Sequence, residues 1–365
     1  MRPLLLKTFI ALALTAPGLA LADPPALVGR ISLAEGQVAL ATDGNQDAGQ
    51  ALLNWPVTND SRIVTERGAL AEFRVGAAAV RLAADSELEV TRLDDDNFRL
   101  RLNYGSAAVR IVDPEMLRGF ELRTDLARVT LTQPGWLRVD ARRDMSVVGV
   151  LAGRAEVEGG GSSTTIEPGR RAEIGVDDLH LGALRRDAFD NWPQLADTPA
   201  LRYVSQSVTG YEELDRYGNW RVDPDYGALW QPRELPSGWA PYRYGRWTFL
   251  QPWGWTWVDD APWGYAPSHY GRWVLVGQRW SWAPGRMARP AWSPALVGWV
   301  GGALGQVPFA ARGGRHSGPG VGWFPLSPRD TYAPAYRVSP EHRRRLDWRH
   351  DGAGPRRGAP PQERA

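Results

Sequence analysis

Cysteine is absent from the 365-residue chain. That excludes a disulfide framework, a thiolate metal site, a cysteine nucleophile and a lipidated N-terminal cysteine. Lysine is nearly absent: it occurs only at Lys7, so every other basic residue is arginine. Histidine is scarce, at positions 180, 269, 316, 342 and 350, without metal-ligand spacing. Beyond the first stretch no apolar run reaches the ~18 residues of a membrane-spanning helix. There is no Gly-x-Ser-x-Gly elbow and no phosphate loop. Paired carboxylates for sugar hydrolysis would have to come from Asp223, Asp225, Glu234, Asp259, Asp260 or Asp330, all beside Pro, Gly or a turn, where acids commonly make local hydrogen bonds. The expectation is a protein that is not an enzyme and carries no cofactor and no metal.

What remains is rich in tryptophan (18), glycine (40) and proline (29), and 43% of the chain is apolar. That is enough to bury real cores. Arg2 and Lys7 precede the apolar Thr8–Leu14, and Ala20-Leu21-Ala22 supplies the small residues of a cleavage site. This pattern is a secretory signal peptide over 1–22, cut after Ala22. It places the mature chain in the periplasm or outside the cell, with no transmembrane span left after cleavage.

From residue 23 onward 41 Arg face 41 acids, so the mature chain is formally neutral, and nucleic acid is not expected as a partner. The charge is unevenly spread. Residues 23–182 hold 18 Arg against 25 acids, residues 217–339 hold 12 against 6, and residues 340–365 hold 7 against 4. An acidic front and a basic back either attract each other or are solvated separately.

From Val28 to Ile174 short alternating runs, such as Phe98-Arg99-Leu100-Arg101-Leu102, are broken by turn signals such as Asp43-Gly44-Asn45, Tyr104-Gly105 and Pro168-Gly169. This is the period of half-buried strands and predicts an all-β roll or sandwich over 23–176. Asp94-Asp95-Asp96 reads as a solvated turn, because no calcium-binding loop surrounds it. Asp178 is placed to cap a helix over Leu179–Asn191 that Pro193 would stop. A second short helix begins near Ser207. Residues 177–212 are therefore expected to be a helical connector, packed through Trp192, Tyr203 and Tyr211.

Fifteen of the tryptophans lie from Trp220 onward, and they repeat. Tyr217-Gly218-Asn219-Trp220, Tyr244-Gly245-Arg246-Trp247 and Tyr270-Gly271-Arg272-Trp273 are spaced by 27 and 26 residues, and Val297-Gly298-Trp299 is a worn fourth copy. Each clear copy reads as a hairpin, with Trp247 and Phe249 opposite Trp255 and Trp257, and Trp273 and Leu275 opposite Trp280 and Trp282. Arg246 and Arg272 fall on the other face, where they would stack on Tyr244 and Tyr270. These indoles can be the core of a small module or a row of exposed rings. The candidate ligand platform is Trp247, Trp255, Trp257, Trp263, Trp273, Trp280 and Trp282 with Arg246 and Arg272. The repeat domain is expected over 213–340, followed by a disordered Arg/Gly/Pro tail over 341–365.

Residues Asn59–Phe73, with Asp60-Ser61-Arg62-Ile63-Val64-Thr65 and Ala69, resemble the opening of the FecR-like domain. The segments Ala79–Leu93, Leu100–Val112, Phe120–Thr124, Val150–Val157 and Ile166–Arg170 are similar to its later strands. Gly135-Trp136 stands where that family often has Gly-Thr. The resemblance implies a periplasmic β domain of the kind that relays a receptor signal to a sigma factor. Such relays carry a cytoplasmic arm and membrane helix ahead of the domain, where this chain has its leader. The resemblance is therefore carried over to fold and compartment. The repeats, with Gly322-Trp323-Phe324-Pro325 and Tyr332–Pro340, resemble a Trp-rich domain of unknown function from exported proteobacterial proteins. Three roles follow as expectations: an envelope binding or scaffold protein, a carbohydrate-recognition protein, and a soluble partner in FecR-type signalling. The partner would be an envelope protein or a polysaccharide.

Overall fold

A computed structural model describes residues 23–349 apart from 43–44, 193–197, 301–306, 312–313 and 319–321. The leader and residues 350–365 lie outside the described residues. The chain is all-β, with short helical turns between strands.

Seventeen strands from Gly29 to Ala183 form one connected set. Its spine is the 14-residue strand Phe98–Ile111. The first half pairs with Ser86–Leu93, the second with Ala78–Leu82 and Gly135–Ala141 on the opposite sheet. The expected turn at Tyr104-Gly105 is instead the point where this one strand changes sheets. Gly105 has φ +86°, and an added Cβ would lie 2.5 Å from the Ser86 Cα, so only glycine fits the crossing. Alternation does the rest: Phe98, Leu100 and Leu102 enter the core while Arg99 and Arg101 face out. Ile31, Ile63, Phe73, Val80 and Leu88 complete that core from neighbouring strands.

The helix expected over Leu179–Asn191 is not formed. Leu179–Ala183 is a strand paired antiparallel with Arg170–Ile174, in register Ala172↔Leu181. Asp178 closes the hairpin, its carbonyl accepting from Gly175 N–H at 2.9 Å, and does not cap a helix. Leu-His-Leu alternates with period two, and that local pattern fits an available sheet edge better than an isolated helix. Helical turns follow only at Ala188–Asp190, Pro199–Arg202, Tyr211–Glu213 and Leu214–Tyr217. Trp192, Tyr203 and Tyr211 do pack as expected. Trp192 Nε1 donates to Glu72 at 2.8 Å, and Tyr203 stacks on Trp220 at 4.6 Å.

The three clear repeats are hairpins as expected, and their registers are Trp220↔Trp230, Trp247↔Trp257 and Trp273↔Trp282. They do not stack in order. The first and third join edge to edge through Trp230↔Trp282 into a four-stranded sheet. The second, Gly245–Leu250 with Gly254–Asp259, stands as its own ribbon beside the worn fourth copy. In that copy Val297–Val300 pairs with Gly322–Pro325, and Trp247 lies 4.9 Å from Trp299 and 5.3 Å from Trp323.

The reason for glycine in every Tyr-Gly-x-Trp is now physical. The indole from the hairpin's second strand lies flat against the glycine. A Cβ on Gly218 would fall 2.1 Å from the Trp230 ring, on Gly245 2.6 Å from Trp257, and on Gly271 2.5 Å from Trp282. Gly218→Ala is thus expected to cost about 2–3 kcal/mol by overpacking a fully buried ring. Gly49→Ala, with nothing within 4 Å, serves as the neutral control. Urea midpoints measure both, and equal midpoints would refute the packing argument.

The module's borders are wider than expected. Ala200, Val204, Val208 and Tyr211 share the Trp core, as does Val28 from the N-terminal body. At the other end Pro340–Leu346 is a helix capped by Ser339, with Leu346 buried and Trp348 Nε1 donating to the Ala283 carbonyl. The tail is therefore folded as far as residue 349. Its arginines have apolar neighbours such as Leu346 and Trp348 that anchor the segment.

Candidate functional site

Burial divides the expected platform. Trp257, Trp263, Trp273 and Trp282 are core residues, and so is Arg272. Their Nε1 atoms are spent inside: Trp257 on the Asp259 carboxylate, Trp273 on the Pro267 carbonyl and Trp282 on the Tyr270 carbonyl. Trp230–Trp263–Trp239–Trp273 form a chain of rings 5.0–5.6 Å apart. None of these four platform tryptophans presents a face to a ligand. A module with few aliphatic side chains has to bury its rings to have a core at all. Arg272 does not stack on Tyr270. It donates to the Leu346 and Gly271 carbonyls, tying the last helix to the sheet. Arg246 is exposed and pairs with Asp260 at 3.0 Å, while Arg243 takes the place over Tyr244 at 6.0 Å.

Trp247, Trp255 and Trp280 are half-buried. Two of them belong to an aromatic patch on the second hairpin and fourth copy. Trp247, Trp299 and Trp323 form a triangle with centroids 4.9–6.1 Å apart, and Trp323 is 40% exposed. Tyr244, Phe249 and Val300 are exposed around it, and Phe249 meets Trp255 edge to face at 5.8 Å. Of the expected platform, Trp247 and Trp255 here, Trp280 on the third hairpin and Arg246 reach solvent.

The second constellation is the seam between the two bodies, whose residues carry no sequence signal. Arg30, fully buried, donates to Glu212 at 2.7 Å, Glu213 at 3.1 Å and Asn54 Oδ1 at 3.0 Å. Burial works against its charge, and the two carboxylates outweigh it. Asn54 in turn donates to the Asp259 and Ala261 carbonyls of the second repeat. Thr209 bridges the Gly76 N–H and the Val28 carbonyl, and the Tyr265 hydroxyl donates to the Gly29 carbonyl. In strand order Arg30 alternates with Ile31 and so lies on the face away from the sheet core. The Trp module covers that face.

Two titratable groups behind the seam are strongly perturbed. Burial pushes the Asp259 carboxyl up to about 6 even though Trp257 Nε1 and Ala261 N–H donate to it. Burial pushes His269 down to about 3; it sits stacked on Trp292 at 4.8 Å, with Nδ1 2.7 Å from the Ser293 carbonyl. Such shifts mark reactive groups when they line a cleft. Here both groups are packed among rings and committed to structural bonds.

Their effects on stability oppose each other. The neutral folded His269 loses stability as pH falls below the unfolded value of 6.5. Asp259, which holds its proton more tightly when folded, regains stability over nearly the same range. His269→Gln is therefore expected to gain about 1.5 kcal/mol relative to the wild type between pH 6.5 and 5, while Asp259→Asn loses about 1 kcal/mol. Denaturant midpoints at the two pH values measure this, and parallel pH curves for all three proteins would refute it.

Among the described residues no helix is long and apolar enough to cross a membrane. No group of three or more His, Asp or Glu side chains there is arranged to hold a metal ion. The acidic turn is not simply solvated: Asp95 accepts two hydrogen bonds from Arg345 at 2.6 and 2.9 Å, and Glu115 pairs with Arg289. The acidic front and basic back thus meet in specific pairs.

No curated protein matches the chain. Two crystal structures of a protein described as a candidate anti-sigma factor from Parabacteroides distasonis are similar at 19% identity with a TM-score of 0.29. The likeness covers 33% of this chain and 59% of that one. Residues 211–335, the segment that holds the Trp hairpins, match the model of a family of unknown function, DUF6600.

Proposed function

We propose that the protein is a non-enzymatic, exported binding or scaffold protein of the cell envelope. The observation that carries this reading is the seam. A sheet domain and a Trp module are locked through Arg30, Asn54, Thr209 and Tyr265. A module welded in this way presents a fixed surface, which suits holding partners in place. The perturbed Asp259 and His269 are occupied in bonds within the Trp module, Asp259 with Trp257 and Ala261 and His269 with Ser293. Export rests on the leader pattern. Mass spectrometry of the protein from fractionated cells should find an N-terminus at Asp23 in the envelope fraction, and an uncut cytoplasmic chain would overturn it.

The exposed patch favours carbohydrate as the partner class. Half-open rings of Trp247, Trp255 and Trp323 offer apolar faces, and the exposed Arg246–Asp260 pair lies on the same hairpin. Co-sedimentation with purified peptidoglycan or exopolysaccharide tests it. The double variant Phe249→Ala/Trp323→Ala is expected to lose at least tenfold in retention while its circular dichroism stays native. Unchanged retention, or no retention of the wild type, would refute the carbohydrate reading. Recovery of a receptor or anti-sigma protein with the wild type instead would favour the envelope-signalling role.

A further inference from the structure

The first residues of the folded chain act as a strap between the two bodies. The Ala26 carbonyl accepts from the Trp292 N–H at 2.9 Å, and the Val28 carbonyl accepts from Thr209 at 2.9 Å. Ahead of them Asp23 reaches the last helix. Its Oδ1 accepts from the Ser339 N–H and its Oδ2 from the Ser339 hydroxyl, both at 2.5 Å. Ser339 is itself the cap of Pro340–Leu346, accepting from the His342 N–H at 3.1 Å. Asp23 is thus a second layer on a helix cap.

Asp23 also lines a cleft of about 590 Å³ between the acidic turn and that helix. Six carboxylates border it (Asp23, Asp60, Asp94, Asp95, Asp96 and Glu341), facing two guanidiniums, Arg92 and Arg345. His342 borders it too. It is only 3% exposed, and its Nε2 has no hydrogen-bond partner among the described residues. A cation with several donors would balance the excess negative charge and give Nε2, in its lone-pair tautomer, a donor. Free chemistry of that kind is generated next door. Hydrolysis of the Ala22–Asp23 peptide bond by a leader peptidase consumes one water, leaves a carboxylate on Ala22 and frees an amine on Asp23. Near neutral pH that amine holds a proton on a large fraction of molecules.

We propose that the α-ammonium released at Asp23 is the cation of this cleft, so that removal of the leader completes the lock between the two bodies. The inference rests on the export reading for the position of the cut. An uncleaved chain carries a neutral amide at this point and lacks the pairing.

The test compares three forms of the chain 23–365: one beginning at Asp23, one with its α-amine acetylated, and one with a Gly-Ser-Gly-Ser extension. The free amine is expected to raise Tm by about 2–4 °C over both other forms. It should also slow amide exchange across Pro340–Leu346. In the Asp96→Asn/Glu341→Gln background the difference should shrink to less than half, because both side chains are surface carboxylates of the cleft. Equal Tm and exchange in all three forms would overturn the proposal. Recovery of the extended form's stability by millimolar Mg²⁺ or Ca²⁺ would overturn it as well, reassigning the cleft to an inorganic ion. The N-terminus of the protein taken from cells separates the two layers of the argument. A cut elsewhere defeats the processing role even if the free amine stabilises the chain, whereas a cut at Asp23 with no stabilisation defeats the lock and leaves export intact.

Discussion

Trp282→Ala is expected to destabilise the protein by about 4–5 kcal/mol, enough to abolish a native denaturation transition at 37 °C. Trp282 has no exposed surface, and its ring fills the space over Gly271 while its Nε1 donates to the Tyr270 carbonyl at 2.7 Å. It also makes the register pair with Trp230 that joins the first and third hairpins. Truncation therefore removes a large ring, opens a cavity, leaves a carbonyl without its donor, and weakens the contact between two hairpins. Trp280, two residues before Trp282 in the same strand, is half-buried. Trp280→Ala should cost only about 1–2 kcal/mol. Guanidinium unfolding followed by far-UV circular dichroism would measure both. A loss below 1 kcal/mol at Trp282 would mean that the indole is not core, and would return it to the candidate ligand residues.

Arg30→Ala should cost about 3–5 kcal/mol, because it leaves Glu213 without its cation, Glu212 with only the longer contact to Arg74 at 3.7 Å, and Asn54 Oδ1 without its donor. The double variant Arg30→Met/Glu212→Gln should recover at least half of that loss, since replacing both partners removes the uncompensated charge. Hydrogen exchange gives a second readout: residues 199–214, which lean on this pair from the module side, should open before the sheets do. If Arg30→Ala were neutral, or exchanged no faster there, the two bodies would be held by apolar contacts alone and the scaffold reading would lose its main support.

Much of the fold was legible in the chain because it depends on local period. Phe98-Arg99-Leu100-Arg101-Leu102 can place its apolar residues on one side only as a strand. The Tyr-Gly-x-Trp spacing announced hairpins with aromatic residues opposed across strands, and hairpins form there, while the residue registers came from the structure. The errors arose where a short segment had two acceptable local forms. Leu179–Ala183 has apolar residues compatible with a helical stripe or a strand, and the open edge at Arg170–Ile174 decided between them. Pro340–Leu346 looked like a basic tail, yet it is folded because Leu346 and Trp348 find apolar partners outside their own segment. Tyr104-Gly105 looked like a turn because glycine in the left-handed region serves equally for a turn and for a strand changing sheets.

The candidate site was less legible, for a reason that concerns faces and not periods. A hairpin rich in tryptophan has two sides, and alternation says which residues share a side without saying which side is covered. Burial of Trp257, Trp263, Trp273 and Trp282 and exposure of the patch around Trp323 were decided by how the repeats pair, first with third and second with fourth. Arg30 carried no signal for the same kind of reason, since its place in strand alternation does not say that a second body covers it.

The opening absences keep their meaning with one addition. Without cysteine the chain cannot be stapled covalently, and its composition by itself determined that cohesion had to come from rings, turns and arginine pairs. Which rings became core, which arginines met which acids, and where Asp23 would dock were decided by the tertiary structure alone. These outcomes depend on contacts between residues more than a hundred positions apart, such as Arg30 with Glu212 and Asp23 with Ser339. No local pattern in a sequence encodes the position of such a partner.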